Sequence, residues 1–295
     1  MTPFTPERAC ALLRKACLTL ELPATGARLL RLSENASFRL GSSPVVVRIG
    51  RSPAKTAVAA RELAVARRLA EGDVPVVRPL GDATEPTSVE GHPVTLWHWV
   101  EPGDRAPGVA DLARLLRLLH DQPGPPPALL GAPKPLTLSE QRLDAATDLP
   151  PADRTFFRAL VADLTAAYAE LEYRLPQGVI HGDAHLGNLL GGAGAAVLAD
   201  LEMAAVGPRE WDLVPVALAR ERFARSEQDH RTFTDAYGYD ITAWSGFTVL
   251  RTIRELYVTV WLAQNRGHDR AAAAEYALRR DSLRKGHDAA RWNAF

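Results

Sequence analysis

The sequence predicts an α+β chain in two lobes, a small antiparallel sheet followed by a larger, mainly helical region. Short alternating segments at residues 27–32, 36–40 and 44–49 are separated by Ser33-Glu34-Asn35 and by Gly41-Ser42-Ser43-Pro44, the punctuation of a meander. Beyond Glu101-Pro102-Gly103-Asp104 the apolar residues recur mostly with helical period. At 295 residues the chain is also long enough for two lobes. The expected division is 1–100 for the sheet lobe, with a connecting stretch at 97–102, and 103–295 for the helical lobe.

In order, Thr5-Pro6-Glu7 starts a helix, with Thr5 as N-cap and Pro6 at the first helical position, and Leu12, Leu13, Ala16, Cys17 and Leu20 follow at helical spacing. After the meander, Pro53 ends the region and Thr56 to Ala70 reads as a helix carrying Arg61, Glu62, Arg67 and Arg68. Two strands are expected near 76–80 and 93–99. Helices are expected at 109–120, 151–174, 208–224, 227–237, 243–266 and 269–285, with a proline-rich connection from Gln122 to Pro135. Phe247, Leu250, Ile253, Tyr257 and Trp261 form an apolar stripe that belongs in a core. His120, near the end of its helix, reads as a surface or core histidine rather than a proton carrier.

Composition narrows the function. Lysine plus arginine and aspartate plus glutamate both number 35, so no bulk charge points to nucleic acid. No run approaches the length of a membrane span, and the N-terminus lacks the apolar core of a signal peptide, which implies no membrane partner and a cytoplasmic setting. Cys10 and Cys17, seven apart on one helix, read as core filler rather than a disulfide or metal pair.

The chemistry concentrates in Val179 to Asp200, VIHGDAHLGNLLGGAGAAVLAD. Asp183 and Asn188 lie five residues apart on a segment loosened by Gly182 and Gly187, and Asp200 closes an apolar run twelve residues later. A neutral oxygen from Asn188 and a charged one from Asp200 suit Mg2+, a hard cation that keeps waters or substrate phosphates in its shell. Asp183 is then free to orient a hydroxyl and accept its proton. That division of labour suits phosphoryl transfer.

The pattern His-Gly-Asp-x-x-x-x-Asn at 181–188, Leu-Ala-Asp-Leu-Glu at 198–202 and Gly-Pro-Arg-Glu-Trp-Asp-Leu at 207–213 resembles the aminoglycoside phosphotransferase family, a branch of the protein-kinase-like fold. The resemblance implies a bilobal protein-kinase-like chain whose N-terminal lobe binds nucleotide and whose C-terminal lobe carries the catalytic loop and acceptor pocket. It implies transfer of the γ-phosphate of ATP, or GTP, with Mg2+, to a hydroxyl of an antibiotic or small metabolite. Asp183 then matches the catalytic aspartate, Asn188 and Asp200 the metal ligands, and His181 the residue that braces the loop. Asp212 matches the aspartate that holds the catalytic-loop backbone, and Glu202 touches the metal's water shell or the acceptor, or is simply solvated.

In VVVRIGR at 45–51, Arg48 stands where the family carries lysine or arginine, and Glu62 is its implied ion-pair partner. Ser33-Glu34-Asn35-Ala36-Ser37 has no Gly-x-Gly-x-x-Gly, so backbone amides and the hydroxyls of Ser33 and Ser37 are expected to cover the phosphates. Residues 97–100, with Trp97 and Trp99, resemble the hinge that bonds the adenine edge.

The acceptor is an aminoglycoside or other antibiotic on this reading, and an amino sugar or sugar on a second. Among C-terminal acids, Glu210, Glu221, Asp229, Asp235 and Glu255 are interleaved with arginines that include Arg251 and Arg254, without the acidic bias that binding several amines would want. Two readings of other classes are a pseudokinase that binds nucleotide without turnover, and a hydrolase with a transition metal on His181, Asp183 and His185. The expected partner is a small-molecule hydroxyl acceptor, and the chain is expected as a monomer or homodimer.

Overall fold

The computed structural model describes residues 4–123, 129–264, 266, 270–286 and 288–294. The chain forms two compact units, the first mainly from Met1–Asp111 and Leu186–Ala204, the second from Leu112–Pro123, Ala132–His185 and Ala205–Phe295. The segment carrying Asn188 and Asp200 thus returns to the first unit, whereas Asp183 belongs to the second.

In the first unit α1 (Pro6–Thr19) begins as its sequence requires, with the Thr5 side chain accepting the amide of Arg8 at 3.3 Å and Pro6 in the first turn. It packs on an antiparallel sheet of β1 (Arg28–Leu32), β2 (Asn35–Arg39), β3 (Val45–Gly50), β4 (Thr87–Val89) and β5 (His92–His98), in the order β1-β2-β3-β5-β4. Alternation sets the two faces: Val45, Val47 and Ile49 enter the core with Phe38, Leu12, Leu13 and Cys17, so Arg48 lies on the opposite face. Cys17 is buried in that core and Cys10 packs against it. Helix α2 (Thr56–Glu71) follows β3.

The expected strand at 76–80 does not join the sheet. It makes single bridges, Val76 to Leu198 and Pro79 to Trp97, because Pro75 and Pro79 have no amide to donate to a continuous ladder. The amide of Val77 and carbonyl of Pro75 both bond Leu198, at 2.9 Å. This ties down β8 (Val197–Leu198), which pairs with β7 (Leu189–Leu190) in a two-stranded ribbon that ends two residues before Asp200.

The second unit contains a two-stranded sheet of β6 (Gln177–Ile180) and β9 (Ala205–Pro208), antiparallel, unforeseen because each strand is only four residues long. The helices are α3 (Val109–His120), α4 (Pro135–Ala145), α5 (Pro151–Ala169), α6 (Glu210–Arg222), α7 (Glu227–Tyr237), α8 (Phe247–Ala263) and α9 (Arg270–Lys285). Helix α4 was hidden by the prolines before it, although Pro135 at its first position is compatible with a helix start. Residues 124–128 of the predicted proline-rich connection, and residues 265 and 269 at the expected ends of the last two helices, lie outside the described residues. Helix α5 ends at Ala169 rather than 174. Helix α8 packs against α4, α5, α6 and α9 and is buried on nearly every side, including its charged Arg251, Arg254 and Glu255. Its stripe of Phe247, Leu250, Ile253 and Tyr257 is core, with Trp261 half-buried. Among the described residues no helix is long and apolar enough to cross a membrane.

Candidate active site

The sequence-predicted residues gather into two clusters, one within each unit. In the first unit the register places Ser37 opposite Arg48, and Arg48 opposite Thr95, so the three share one face of the sheet. Arg48 Nη1 donates to Glu62 Oε1 at 2.6 Å and Oε2 at 2.8 Å; its Nη2 donates to Asp200 Oδ1 at 3.0 Å and Glu202 Oε1 at 2.8 Å. A planar, forked guanidinium can meet three carboxylates in this way, which an ammonium point charge matches less well. Glu62 is 2 % exposed and also accepts the amide of Leu201 at 3.0 Å, so one buried side chain holds both Arg48 and the backbone beside Asp200.

Asp200 has φ 62° and ψ 61°, a left-handed conformation unusual for a non-glycine residue and tolerated best by asparagine and aspartate. The bond of Leu201 to Glu62 helps hold it there. Asn188 is buried, and its carbonyl accepts the amide of Ala199 at 2.9 Å, which ties the two residues predicted as metal ligands to one stretch of ribbon.

Glu202 is not a solvated acid. It accepts from Asn35 Nδ2 at 2.6 Å, from Arg48 and from Lys55 at 3.2 Å, and Arg61 donates to its carbonyl oxygen. Lys55 also lies 3.2 Å from Glu34. Through Asn35 and Glu34 the β1–β2 turn is thereby fastened to the Asp200 segment, and the same turn closes on itself through the Ser33 amide and Asn35 carbonyl at 2.9 Å. Burial lowers the affinity of Arg48 for its proton, but Glu62, Asp200 and Glu202 more than reverse this and keep it charged. Burial pushes the Glu62 carboxyl up; Arg48 pulls it down, and the neighbouring Glu202 and Asp200 add to the rise. Lys55 is likewise held protonated, against its burial, by Glu202 and Glu34.

The predicted hinge is more engaged than its sequence implied. The Trp97 ring is buried with its Nε1 donating to Thr95 Oγ1 at 2.8 Å, the His98 amide bonds Arg78 and the Trp99 amide bonds Pro44. The Trp99 ring lies under the Arg39 guanidinium at 4.8 Å.

In the second unit the loop 181–185 leaves β6 and is held by the first turn of α6. Asp212, fully buried, accepts the amides of His181 at 2.6 Å and Gly182 at 2.8 Å, and His120 Nε2 lies 3.1 Å from the same carboxylate. His120 Nδ1 is 2.7 Å from the Tyr237 hydroxyl, so this histidine is a core bridge. Trp211 Nε1 donates to the Gly182 carbonyl at 2.9 Å, and Glu210 accepts the amides of Arg174 and Leu175 at 2.7 Å on the way into β6. Gly182 has φ 82°, a backbone conformation that side chains resist.

His181 is buried and its Nδ1 accepts the Asp183 amide at 3.3 Å, which fixes the ring to its own loop. His185 Nε2 stands 3.6 Å from Asp183 Oδ2. Among the described residues, no three histidine, cysteine, aspartate or glutamate side chains group as metal ligands. The histidine triplet of the hydrolase reading therefore does not assemble. Asp183 Oδ1 pairs with Arg254 of α8. Burial raises the Asp183 carboxyl, but Arg254 and then His185 outweigh it and hold the group well below the usual carboxylate range.

Lys55, Arg61 and Arg254 had no assigned role in the sequence. The first two sit at irregular positions around α2, and Arg254 lies seventy-one residues beyond Asp183, among other arginines. Trp211 was legible only as part of the Gly-Pro-Arg-Glu-Trp-Asp-Leu run.

An amicoumacin kinase solved with AMP-PNP, Ca2+ and Ami aligns with TM-score 0.70 at 14% identity, over 98% of this chain and 98% of that one. A choline kinase from Streptococcus pneumoniae aligns with TM-score 0.66 at 16% identity, over 92% and 98%. A spectinomycin phosphotransferase solved with ADP and spectinomycin aligns with TM-score 0.62 at 13% identity, over 94% of each chain. At such identities these likenesses show the kinase-like fold alone. No curated protein sequence matches the chain. The model of the phosphotransferase enzyme family (APH) matches residues 27–250, well over half of the chain, and the chain belongs to that family.

Proposed function

We propose that the protein is a small-molecule kinase that transfers the γ-phosphate of ATP, or GTP, to a hydroxyl of its acceptor. Glu62 carries this reading, because one buried carboxylate fixes both Arg48, the proposed phosphate grip, and the backbone beside Asp200, the proposed metal ligand. Arg48 is to bind the α- and β-phosphates, and the β1–β2 turn with Ser33 and Ser37 is to cover them. Residues 97–100 are to meet the base through backbone groups other than the His98 and Trp99 amides, which are already bonded.

The donor set suits a hard cation: a neutral amide oxygen from Asn188 and a carboxylate from Asp200, on backbone joined by one hydrogen bond. Mg2+ held there supplies charge neutralisation for the phosphates. The acceptor hydroxyl oxygen forms a bond to the γ-phosphorus as the bond to the β,γ-bridging oxygen breaks, that electron pair leaving with the nucleoside diphosphate. Asp183 orients the hydroxyl and takes its proton. Because such transition states are loose, orientation should contribute more than proton abstraction. His181 and Asp212 hold the loop backbone rather than touching substrate.

The proposed acceptor is a hydroxylated small molecule, either an antibiotic, in which case the protein confers resistance, or a metabolite such as an amino sugar or sugar. The similar solved structures include an amicoumacin kinase, a spectinomycin phosphotransferase and a choline kinase. An ATP-consumption screen across these classes, with Asp183→Ala as the blank, tests the proposal. Asp183→Ala and Asp200→Ala should each lower turnover on the order of a hundredfold or more while leaving the fold intact. Wild-type kcat in Asp183→Ala would refute the assigned base, and nucleotide binding without transfer to any acceptor would favour the pseudokinase.

A further inference from the structure

Arg254 is the charged group that helix α8 brings to Asp183, and its surroundings differ from those of the other buried arginines nearby. Arg251 of the same helix reaches Glu221 at 3.2 Å and Glu255 at 3.9 Å, and Arg222 reaches Glu255 at 2.6 Å and Asp288 at 2.9 Å. Apart from the Arg251–Glu255 pair within α8, these join helix to helix and to the C-terminal segment. Among the described residues, the carboxylate that Arg254 meets is that of Asp183. Its guanidinium also lies 5.4 Å from the centre of the Tyr257 ring, and Tyr257 is in turn held by Arg142, which stacks at 4.1 Å and donates to the hydroxyl at 3.1 Å. Arg254 is 7 % exposed, so its charge is costly to bury unless the carboxylate beside it is ionised.

The backbone of Asp183 is already fixed, since Asp212 holds the two preceding amides and His181 takes its own. What those bonds leave undetermined is the side chain. We propose that Arg254 is a positioning residue for phosphoryl transfer, anchoring Oδ1 of Asp183 so that the carboxylate meets the acceptor hydroxyl ionised and in one rotamer. This rests on the reading of Asp183 as the base. Groups facing Asp183 include Arg254 from α8 and His185 and His181 from its own loop. Arg254 carries a permanent charge, unlike the two histidines, so it favours the ionised Asp183 whatever their state.

The test compares wild type, Arg254→Gln, Arg254→Lys and Asp183→Asn for ADP release from Mg-ATP with water as acceptor, together with the 13C NMR titration of the Asp183 carboxyl. Arg254→Gln should lower kcat about tenfold or more, with KM for ATP unchanged, as misplacement of a catalytic group does. Its Asp183 carboxyl should titrate at higher pH, and Arg254→Lys should lie between it and wild type in both. A folded Arg254→Gln protein with wild-type kcat and an unmoved carboxyl titration overturns the proposal. If Arg254→Gln does not fold, Arg254→Lys decides on the same two readouts, a wild-type kcat and titration again overturning it. Asp183→Asn at wild-type rate overturns instead the reading of Asp183 as base, so the two failures are distinguishable.

Discussion

Asp212→Asn tests whether the proposed catalytic loop is held as the geometry indicates. The Asp212 carboxylate accepts three donors: Oδ2 takes the His181 amide at 2.6 Å and faces His120 Nε2 at 3.1 Å, and Oδ1 takes the Gly182 amide at 2.8 Å. Asparagine offers one acceptor oxygen. If it stands in place of Oδ2, the Gly182 amide meets an NH2 group and is left buried without a partner. That orphaned donor costs about 1–3 kcal/mol, and loss of charge from the two remaining bonds adds about 1 kcal/mol, so the substitution should destabilise the second unit by about 3 kcal/mol. If the loop relaxes by about 1 Å to recover a partner, kcat should fall about a hundredfold. Urea unfolding of wild type and variant, with steady-state ADP release on the same samples, measures both. An unchanged midpoint with kcat within about twofold of wild type would refute the idea that this carboxylate holds the loop.

Other substitutions address the first unit and the proposed base. Glu62→Gln removes the charge shared by Arg48 and the Leu201 amide; it should cost about 3 kcal/mol in stability and raise Kd for ATP about tenfold, read by calorimetric nucleotide titration. Chelation of Mg2+ should abolish the thermal stabilisation that ATP gives, which at about 100 times Kd is worth about 2.7 kcal/mol, and Asp200→Ala should do the same with Mg2+ present. Because Arg254 and His185 hold the Asp183 carboxyl below its ordinary range against its burial, the base stays ionised as pH falls through about 4. The acid limb of kcat/KM from Asp183 should therefore lie below that value, and the ion pair's contribution to stability, present above the unfolded carboxyl's pKa, should be lost only as pH falls further. A limb from Asp183 at or above the ordinary carboxylate range would contradict the pairing.

Sequence-stretch by sequence-stretch, legibility followed how local the determining physics is. The meander, α1 and α2 were readable because alternation, Pro6 and Thr5 act within a few residues. The short partners β6 and β9 were not, since four-residue strands separated by twenty-four residues show no periodicity of their own. Residues 76–80 misled because Val76 and Val77 have strand composition, while Pro75 and Pro79 deny the ladder its donors. In the candidate site, the runs 181–188 and 198–202 displayed their residue types openly. The partners that hold them, Lys55 and Asn35 on Glu202 and Arg254 on Asp183, come from distant positions whose approach only tertiary packing determines.

The same packing bears on the acceptor. Of the acids that a polyamine acceptor could have recruited from the region after residue 207, Glu210 is spent on the amides of Arg174 and Leu175, Glu255 on Arg222, and Glu221 on Arg251. Releasing Glu210 leaves two backbone donors without this acceptor, and releasing Glu255 or Glu221 removes one carboxylate from a buried arginine, a cost that one ammonium contact in water does little to offset. Asp229 and Asp235 on α7 remain outside these buried pairs, with Asp235 exposed. Beside Asp183 itself the neighbour from α8 is a cation. An acceptor whose reacting hydroxyl is flanked by ammonium groups would meet Arg254 with like charge, whereas one carrying neutral or anionic groups there would not. Membership of a phosphotransferase family therefore does not carry with it a polycationic substrate, and the acceptor screen should give its neutral and acidic hydroxyl compounds the same weight as its amines.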